Sequence, residues 1–269
     1  MFVRWDLLPR LASELSGGLK LRQLRLSIEL YLFCAARSLW RNDRRHLLRF
    51  VHNGRPASLF IWNTDDITVL LELYVWKEYD LHFATEPSLI IDIGAHTGNT
   101  ALYFHALFPD ATIYAVEASP ANFSKLKENV QGIEKIVPVH AALAERDGVM
   151  PFFESAHSIG SSLLRRSERD TQVDVPSLSM RSFFAAYALK KADFIKIDIE
   201  GGEELLFRSE PPEAFSDAYM LEVHGDLMRM TADDFIQFFS GMETRRDPIP
   251  GAPKRSILQA RTPRSAFYF

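Results

Sequence analysis

The stretch LIIDIGAHTGNT, residues 89–100, decides the fold, because an apolar run ends there at an acid and opens into a glycine-bearing loop. The run is rich in β-branched residues, and only Asp92 interrupts it, which is typical of a strand covered on both faces of a parallel sheet. Gly94 allows a tight turn and the close approach of a ligand, and Gly98 lets the following helix lie close to the strand. The stretch therefore predicts a buried strand, a ligand site built from main chain, and a helix.

The glycine spacing separates this loop from the nicotinamide dinucleotide fingerprint. That fingerprint is G-x-G-x-x-G, whereas Asp92, Gly94 and Gly98 give D-x-G-x-x-x-G. With this spacing the loop resembles the first motif of the Rossmann-like S-adenosylmethionine-dependent methyltransferases. The alternative is a strand, loop and helix that need glycine only for the turn.

An acid also ends the next predicted strand, Thr112 to Glu117. Glu117 follows Asp92 by 25 residues. A carboxylate at the end of a second parallel strand can accept hydrogen bonds from both ribose hydroxyls of a nucleoside-bearing cofactor. The alternative is that Glu117 only stabilises the start of the helix that begins near Pro120. Together these residues favour a cofactor crevice outside the carboxyl ends of the first two strands.

Ionisable residues alternate with isoleucines in FIKIDIEGGE, residues 194–203. On a strand, Lys196, Asp198 and Glu200 point to one side. Three ionisable groups on one face of a buried strand are costly unless they pair or face a polar cleft. We therefore expect a polar cleft at this strand.

Several motifs, in order along the chain, resemble those of one family. Residues 195–203, IKIDIEGGE, resemble the IKIDVEGAE signature of FkbM-type methyltransferases. Residues 90–98 resemble the VDVGANVG loop of the same family, and residues 114–120, YAVEASP, resemble its VYAFEPNP segment. Residues 137–143 and 173–178 also match in kind, so that the resemblance covers roughly residues 65–225.

The resemblance implies methyl transfer from S-adenosylmethionine, most often to a hydroxyl oxygen of a sugar, a polyketide or another small molecule. Ala118 stands where the family usually has proline, and His96 where it usually has asparagine. Neither change removes a group whose chemistry the cofactor requires. The adenine is expected near residues 140–142, where we assign His140 no role. The expected cofactor-binding residues are Asp92, Gly94, Ala95, Thr97, Gly98, Asn99, Glu117, Ala118 and Ala142.

Methyl transfer is an in-line displacement, so the protein mainly has to align acceptor and donor. A base that takes the proton of the acceptor hydroxyl contributes ~10²–10⁴-fold. The candidate catalytic residues are Asp198, Glu200 and His224, the last because a histidine has a suitable ordinary pKa.

Other interpretations of the three candidates stay open. His224 could instead hydrogen-bond a neighbouring loop, and Asp198 could form an ion pair with Lys196. Asp198 and Glu200 could also hold a divalent cation through their carboxylate oxygens. No third ligand is evident from the sequence, so we expect no metal.

The order of elements predicts an α/β fold, namely the Rossmann-like class I methyltransferase fold with a mostly parallel central sheet and helices on both faces. A helical N-terminal extension, residues 1–82, is expected to precede the methyltransferase domain, residues 83–269. Two helices are predicted in residues 1–48, followed by a hairpin-like or irregular cover over 49–63. The next predicted helix covers 65–80 and is capped by Thr64 or Asp65. The later predicted helices cover 99–108, 120–129, 179–189, 203–207 and 231–239. The predicted strands cover 89–93, 112–117, 136–141, 148–153, 173–175, 193–199, 219–223, 256–260 and 265–269.

Composition limits the partners. The chain has 269 residues and a formal charge of -4, which disfavours a nucleic-acid partner. Cys34 is the only cysteine, so we expect a core thiol, no intrachain disulfide and a reducing compartment. Residues 1–10 lack the apolar core of a secretory signal, and residues 26–36 are too short to span a membrane. We expect a cytoplasmic protein.

Its expected partner is a small-molecule or saccharide hydroxyl acceptor. The N-terminal extension could cover the cleft or support a homodimer. Arg41, Arg44, Arg45 and His46 form a basic cluster, which is more typical of a solvated helix face than of a site for an acidic partner.

Two other functions stay open at this point. One is a NAD-dependent oxidoreductase, which the misplaced third glycine disfavours. The other is a non-catalytic Rossmann-like binding module, which the intact acids at three strand ends disfavour.

Overall fold

The computed structural model describes residues 4–39, 45–79, 81–155, 160–208, 211–225, 227–228, 230–249 and 252–269. Their contacts divide the chain into two units, one from Met1–Asp80 and Leu102–Pro109, the other from Leu81–Ala101 and Asp110–Phe269. The division into an extension 1–82 and a domain 83–269 stays a prediction, because a contact boundary does not tell which part folds alone. Within the described ranges, no helix is both long and apolar enough to cross a membrane.

Two helices open the first unit, as the apolar periodicity predicts. Helix α1 is Leu8–Leu15 and helix α2 is Lys20–Leu39. Cys34 is buried on α2, which confirms its assignment to the core. Arg41 and Arg44 of the predicted basic cluster lie outside the described residues.

A β-hairpin follows the two helices. Strand β1, His46–His52, pairs antiparallel with strand β2, Arg55–Ile61. Asn53 and Gly54 between them have positive φ angles, 48° and 74°. Two such residues are what a two-residue type I′ hairpin turn requires. The hairpin-like cover predicted for this region is confirmed.

The next helix begins and ends differently from its prediction. Helix α3 is Thr64–Leu71, and a π-helical turn, Glu72–Trp76, continues it. Its N-cap is Asn63, whose side chain accepts hydrogen bonds from the backbone N–H groups of Asp65 and Asp66 at 2.9 and 3.2 Å. Asp66 in turn accepts from the Asn63 N–H at 3.1 Å, which completes a capping box. The predicted caps Thr64 and Asp65 were therefore wrong.

The remaining strands and helices alternate as predicted for an α/β unit. In chain order, the strands are β3 (His82–Phe83), β4 (Leu89–Ile93), β5 (Thr112–Glu117), β6 (Ile136–His140), β7 (Ala142–Leu143), β8 (Gly148–Glu154), β9 (Thr171–Leu178), β10 (Phe194–Ile197), β11 (Ala218–His224), β12 (Glu243–Ile249), β13 (Ala252–Arg261) and β14 (Phe267–Tyr268). The helices are α4 (Asn99–Leu107), α5 (Pro120–Asn129), α6 (Met180–Ala186) and α7 (Ala232–Ile236).

The central sheet has seven strands in the order β12, β13, β11, β10, β4, β5, β6. Strands β4, β5, β6, β10 and β11 are parallel, and β13 is antiparallel to both of its neighbours. The chain runs outward from β4 through β5 to β6, then returns to the other side of β4 as β10. The carboxyl ends of β4 and β10 thus flank the switch point at which open α/β sheets bind ligands. The predicted Rossmann-like α/β fold is confirmed.

The two faces of the central strands differ in polarity. Ile91 and Ile195 belong to a core cluster that also contains Phe183 of α6. Lys196 lies opposite Asp92 in the register of β10 and β4, so both side chains belong to the other face. A buried ion pair therefore lies in the middle of the sheet.

The sequence missed one strand of the sheet. Strand β12, Glu243–Ile249, occupies a region for which no strand was predicted, because its residues are mostly charged and include Pro248. Charged residues and proline are typical of edge strands, where they prevent further pairing. The tail strand predicted at 256–260 is longer, since β13 spans Ala252–Arg261.

The region after β10 also differs from its prediction. The strand predicted to reach Ile199 ends at Ile197, because Glu200 and Gly201 have φ angles of 56° and 97° and turn the chain. The helix predicted over 203–207 is a 3₁₀ turn, Glu203–Leu205.

Candidate active site

Gly94 holds the glycine loop against the main chain that follows β10. Its φ angle is 81°, and its N–H and that of Ala95 donate to the Val116 carbonyl at 2.9 and 3.0 Å. A Cβ atom on Gly94 would overlap the carbonyl oxygen of Asp198. Glycine is therefore required here by protein packing, whereas the sequence predicted that a ligand would approach this residue.

Gly98 allows a close approach, although to a different element from the one predicted. Its φ angle is 90°, and a Cβ atom on it would lie 2.7 Å from Cδ1 of Leu126 on α5. Asn129, also on α5, donates to the Thr97 carbonyl at 2.8 Å. Helix α5 thus fixes the end of the loop, and sequence reasoning missed Asn129 because an isolated amide carries no pattern.

Glu117 ties the loop to the end of β5. The side chain is buried, and its two oxygens accept hydrogen bonds from the backbone N–H groups of His96 at 2.9 Å and Ser119 at 2.8 Å. Burial raises the pKa of Glu117 to about 7, against the opposing effect of these two N–H groups. Each oxygen keeps a second lone pair, which can accept a hydrogen bond from a hydroxyl group.

The cap of α5 is a neighbour of Glu117. The Ser119 hydroxyl accepts from the Asn122 N–H at 3.2 Å and donates to the Glu154 carboxylate. Ser119 is the N-cap residue, so Glu117 is not needed for that task.

Two buried side chains of the loop region carry polar atoms without hydrogen bonds. Neither carboxylate oxygen of Asp92 and neither amide atom of Asn99 has a hydrogen-bond partner among the described residues. Unsatisfied buried groups are costly and are rare in folded proteins. These atoms could therefore take hydrogen bonds from a bound polar ligand.

Lys196 compensates the charge of Asp92. Its ammonium group lies 3.2 Å from Asp92 and 3.9 Å from Asp198, and it donates to the Gly94 carbonyl at 2.9 Å. Burial lowers the pKa of Lys196, but the two carboxylates outweigh burial and hold it above its ordinary value. Burial raises the pKa of Asp92, against the charge of Lys196. The ion pair proposed for Asp198 thus belongs mainly to Asp92.

The predicted adenine region is apolar. Ala142 and Phe152 form a small buried cluster, against which Ala118 packs. The Nε2–H group of His140 donates to the Ala118 carbonyl at 3.1 Å. The His140 ring also stacks on the ring of Phe123, with 4.7 Å between the centroids. These contacts give His140 a structural role, consistent with its having been assigned no other.

Asp198, Glu200 and His224 come together at the ends of β10 and β11, and we call them the acidic cluster. The Nε2 atom of His224 lies 3.5 Å from Glu200 Oε2 and 3.9 Å from Asp198 Oδ1. His224 is fully buried, whereas the side chains of Asp198 and Glu200 are 28% and 15% exposed. The three predicted catalytic residues therefore form one group that solvent reaches from the carboxylate side.

Four further charged residues surround the acidic cluster. Glu203 Oε1 lies 2.8 Å from His224 Nδ1, and Glu222 Oε1 lies 3.3 Å from Nε2. Arg166 contacts Glu200 at 2.8 Å, and Arg255 lies 3.8 Å from it. Glu222 could have been found, since it lies two residues before His224 on one strand face. Arg166 and Arg255 come from segments that carry no motif.

These neighbours change the proton affinities in the acidic cluster. Burial alone would lower the pKa of His224, but the hydrogen bonds and charges of Glu203 and Glu222 raise it well above its ordinary value. These contacts favour the protonated imidazole, so the ordinary pKa of histidine does not describe His224. Burial raises the pKa of Glu200 to about 7, against the charge of His224. A carboxylate with that pKa suits general base catalysis at neutral pH.

A parallel sheet with a glycine loop after β4, an acid at the end of β5 and a polar cluster at the ends of β10 and β11 defines a Rossmann-like α/β domain. The family follows from direct comparison. The methyltransferase FkbM domain matches residues 92–245, which is more than half of the chain, and the chain belongs to this family.

One curated relative and two solved structures are also similar to this chain, over a shorter length or at a low sequence identity. "Methyltransferase 1" of Beauveria bassiana (strain ARSEF 2860) is 26% identical over 156 residues, which is 49% of this chain and 62% of that protein. Fibrillarin of Aeropyrum pernix, solved with S-adenosyl-L-methionine bound, is 14% identical with a TM-score of 0.46, over 80% of this chain and 82% of its own. Precorrin-6y C5,15-methyltransferase of Geobacter metallireducens GS-15 is 13% identical with a TM-score of 0.41, over 75% and 90%.

Proposed function

We propose that this protein is an S-adenosylmethionine-dependent methyltransferase that methylates a hydroxyl oxygen of a small molecule or saccharide. The observation that carries the proposal is the convergence, at one edge of one sheet, of the glycine loop with Glu117 and of the acidic cluster with Glu200. The first set suits a nucleoside-bearing donor, and the second suits removal of a proton from an acceptor. Membership of the FkbM methyltransferase family supports the reaction type.

The residues at the loop fit the polar groups of such a donor. Glu117 has acceptor capacity for two ribose hydroxyls, and the unsatisfied buried atoms of Asp92 and Asn99 can bind further polar groups. Ala118 and Ala142 offer an apolar surface suited to a purine ring. The cofactor supplies a methyl group on a positively charged sulfur. The loop residues Ala95, Thr97 and Gly98 complete the proposed site through main chain.

The acidic cluster would activate the acceptor. Glu200 takes the hydroxyl proton as the acceptor oxygen attacks, since its pKa of about 7 lies near neutral pH. Asp198 is the most exposed member and can orient the hydroxyl. His224 is then a positioning residue, because its positive charge and its contact with Glu200 at 3.5 Å hold that carboxylate in place.

Turnover tests this assignment. S-adenosylhomocysteine release is measured with a panel of hydroxylated sugars and phenols, for wild type, Glu200→Gln and the control Glu145→Gln. Glu145 is a surface carboxylate that is 46% exposed and pairs with Arg208. We expect kcat to fall by about 10²–10⁴-fold in Glu200→Gln at unchanged cofactor affinity, and the control to match wild type. Equal kcat for all three proteins would remove Glu200 from the mechanism.

The wider proposal concerns location and assembly. The single buried cysteine and the net charge support a cytoplasmic protein without a nucleic-acid partner. Acceptor specificity is proposed to lie in residues 1–64, 155–172 and 225–255. The extension 1–82 is proposed to support a homodimer, with 83–269 as the catalytic domain.

A further inference from the structure

We infer that Asp198, Glu200 and His224 bind a divalent metal ion, a role beyond the proposed function and independent of cofactor binding. One ligand atom from each residue lies within 4.8 Å of the other two. The sequence argued against a metal because only two ligands were evident. The fold supplies the third, since His224 at the end of β11 lies beside the two carboxylates that follow β10.

The orientation of His224 is that of a metal ligand. Its Nδ1 atom lies 2.8 Å from Glu203 Oε1, so the imidazole donates a proton there and turns Nε2 toward Asp198 and Glu200. Histidines that bind metals almost always donate their other N–H to a carboxylate or carbonyl in this way. Nε2 is buried and has no hydrogen-bond partner among the described residues. The carboxylates nearest to it are those of Glu222 at 3.3 Å, Glu200 at 3.5 Å and Asp198 at 3.9 Å.

The separations suit a single ion. With ligand distances of about 2.1 Å, ligands at right angles lie roughly 3.0 Å apart and opposite ligands roughly 4.2 Å apart. The distances of 3.5 and 3.9 Å from His224 Nε2 to the two carboxylates fall between these limits. A set of one imidazole and two carboxylates favours a first-row transition ion such as Mn²⁺ over Mg²⁺ or Ca²⁺, which prefer oxygen alone.

Three protein ligands leave coordination positions open. A hydroxyl that binds a metal ion loses its proton more readily, so an acceptor oxygen at an open position would be activated by the ion. Binding of the ion replaces the proton on His224 Nε2, which leaves as a hydronium ion to buffer. The positive charge that balances the carboxylates is then carried by the metal.

Arg166 competes for the same carboxylate. Its guanidinium lies 2.8 Å from Glu200 Oε2, the oxygen that also faces His224. Lys196 and Arg255 lie farther from the cluster, at 3.9 Å from Asp198 and 3.8 Å from Glu200. An ion must therefore share Glu200 with Arg166, and removal of Arg166 should tighten its binding.

Titration of chelator-treated full-length protein with Mn²⁺, followed by the loss of the free-ion paramagnetic resonance signal and by calorimetry, tests the inference. We expect one saturable site, weakened at least about tenfold by Asp198→Asn and by Glu203→Gln, and tightened by Arg166→Gln. The matched control is Asp247→Asn, an exposed carboxylate that pairs with Arg245. It should bind Mn²⁺ as wild type does. Far-UV circular dichroism confirms that each variant is folded.

Three outcomes would overturn the inference. They are the absence of saturable Mn²⁺ binding by wild type, equal affinity in Asp198→Asn and wild type, and Mn²⁺ binding that Arg166→Gln leaves unchanged. Titration with S-adenosylmethionine in metal-free buffer separates this result from the proposed function. Cofactor binding without Mn²⁺ binding removes the metal site alone, and Mn²⁺ binding without cofactor binding removes the proposed function alone.

Discussion

The glycine loop and the acidic cluster occupy the same edge of one sheet but are built in opposite ways. The loop is held by main-chain hydrogen bonds, from Gly94 and Ala95 to Val116 and from His96 to Glu117. The cluster is held by side-chain charges that come from four separate segments of the chain. A main-chain site tolerates changes of side-chain type but not of glycine, whereas a charge cluster depends on every partner. The two regions should therefore respond differently to substitution.

Lys196 joins the two regions, and its loss should have the largest effect. Lys196→Met leaves the buried Asp92 without a countercharge and the Gly94 carbonyl without its donor. We expect a loss of about 3–5 kcal/mol in the free energy of unfolding, measured by guanidinium denaturation. The control is Lys191→Met, which breaks a partly exposed pair with Asp217 and should cost at most about 1 kcal/mol.

A second variant checks the cause of that loss. Asp92→Asn combined with Lys196→Met removes both charges, so much of the lost stability should return. Equal losses for Lys196→Met and Lys191→Met would show that the two regions are not coupled through this ion pair.

Protonation of Glu117 should make stability depend on pH. The pKa of Glu117 is about 7 in the folded protein, above the ordinary 4.5 of a glutamate. The folded protein favours the neutral carboxyl group of Glu117. Its contribution to the free energy of unfolding is therefore complete below about pH 4.5 and is lost as the pH rises through 7. A tenfold change in an acid constant corresponds to about 1.4 kcal/mol, so the loss reaches about 3 kcal/mol by pH 8.

Chemical denaturation of wild type and Glu117→Gln between pH 5 and pH 8 measures this effect. The stability of wild type should fall relative to that of the variant over this range. The exposed Glu145→Gln should keep the pH profile of wild type. Parallel profiles for wild type and Glu117→Gln would show that Glu117 is not protonated in the folded protein.

Gly94→Ala tests whether the loop depends on main-chain packing. Gly132 is a matched control, because its φ angle is 83° against 81° for Gly94, yet no atom lies within 4 Å of an added Cβ. Both alanines carry the strain of a positive φ, but only Gly94→Ala overlaps the Asp198 carbonyl. We expect Gly94→Ala to cost about 2 kcal/mol more than Gly132→Ala in thermal or chemical unfolding. Equal costs would mean that the loop can shift away from β10.

The smallest expected effect on stability comes from substitutions at two helix N-caps, which should differ in their effect on cofactor affinity. Ser119→Ala and Ser179→Ala each remove an N-cap hydroxyl, from α5 and α6 respectively, and each should cost about 1 kcal/mol. The backbone N–H of Ser119 donates to Glu117 and is kept in Ser119→Ala, but loss of the cap should shift that N–H, so only Ser119→Ala should also weaken cofactor affinity. Equal affinity in both variants would separate α5 from the cofactor site.

The sequence predicted the loop better than the cluster, for a physical reason. The loop lies within the twelve consecutive residues 89–100, and strand, turn and helix each leave a local pattern there. The cluster was predicted only in part, since the partners Arg166 and Arg255 reach Glu200 through the tertiary fold. Local patterns also could not show that Gly94 packs against the Asp198 carbonyl, which lies about 100 residues later in the chain.

The same limit applies to charge states and edge strands. The ordinary pKa of histidine suggested that His224 is a base, whereas its contacts with Glu203 and Glu222 raise that pKa and favour the protonated form. Strand β12 was missed because its exposed, charged residues have no apolar alternation. Charge states and edge strands depend on neighbours that are distant in sequence, so they could not be predicted from one segment.

The most direct test of the account is calorimetric titration with S-adenosylmethionine, with NAD as the control ligand. Wild type and Asp198→Asn should bind one S-adenosylmethionine each, and Glu117→Ala should bind it at least about tenfold more weakly, because two hydroxyl hydrogen bonds to a carboxylate are lost. None of the three should bind NAD. Binding of NAD alone, or equal affinity of Glu117→Ala and wild type for S-adenosylmethionine, would contradict the account.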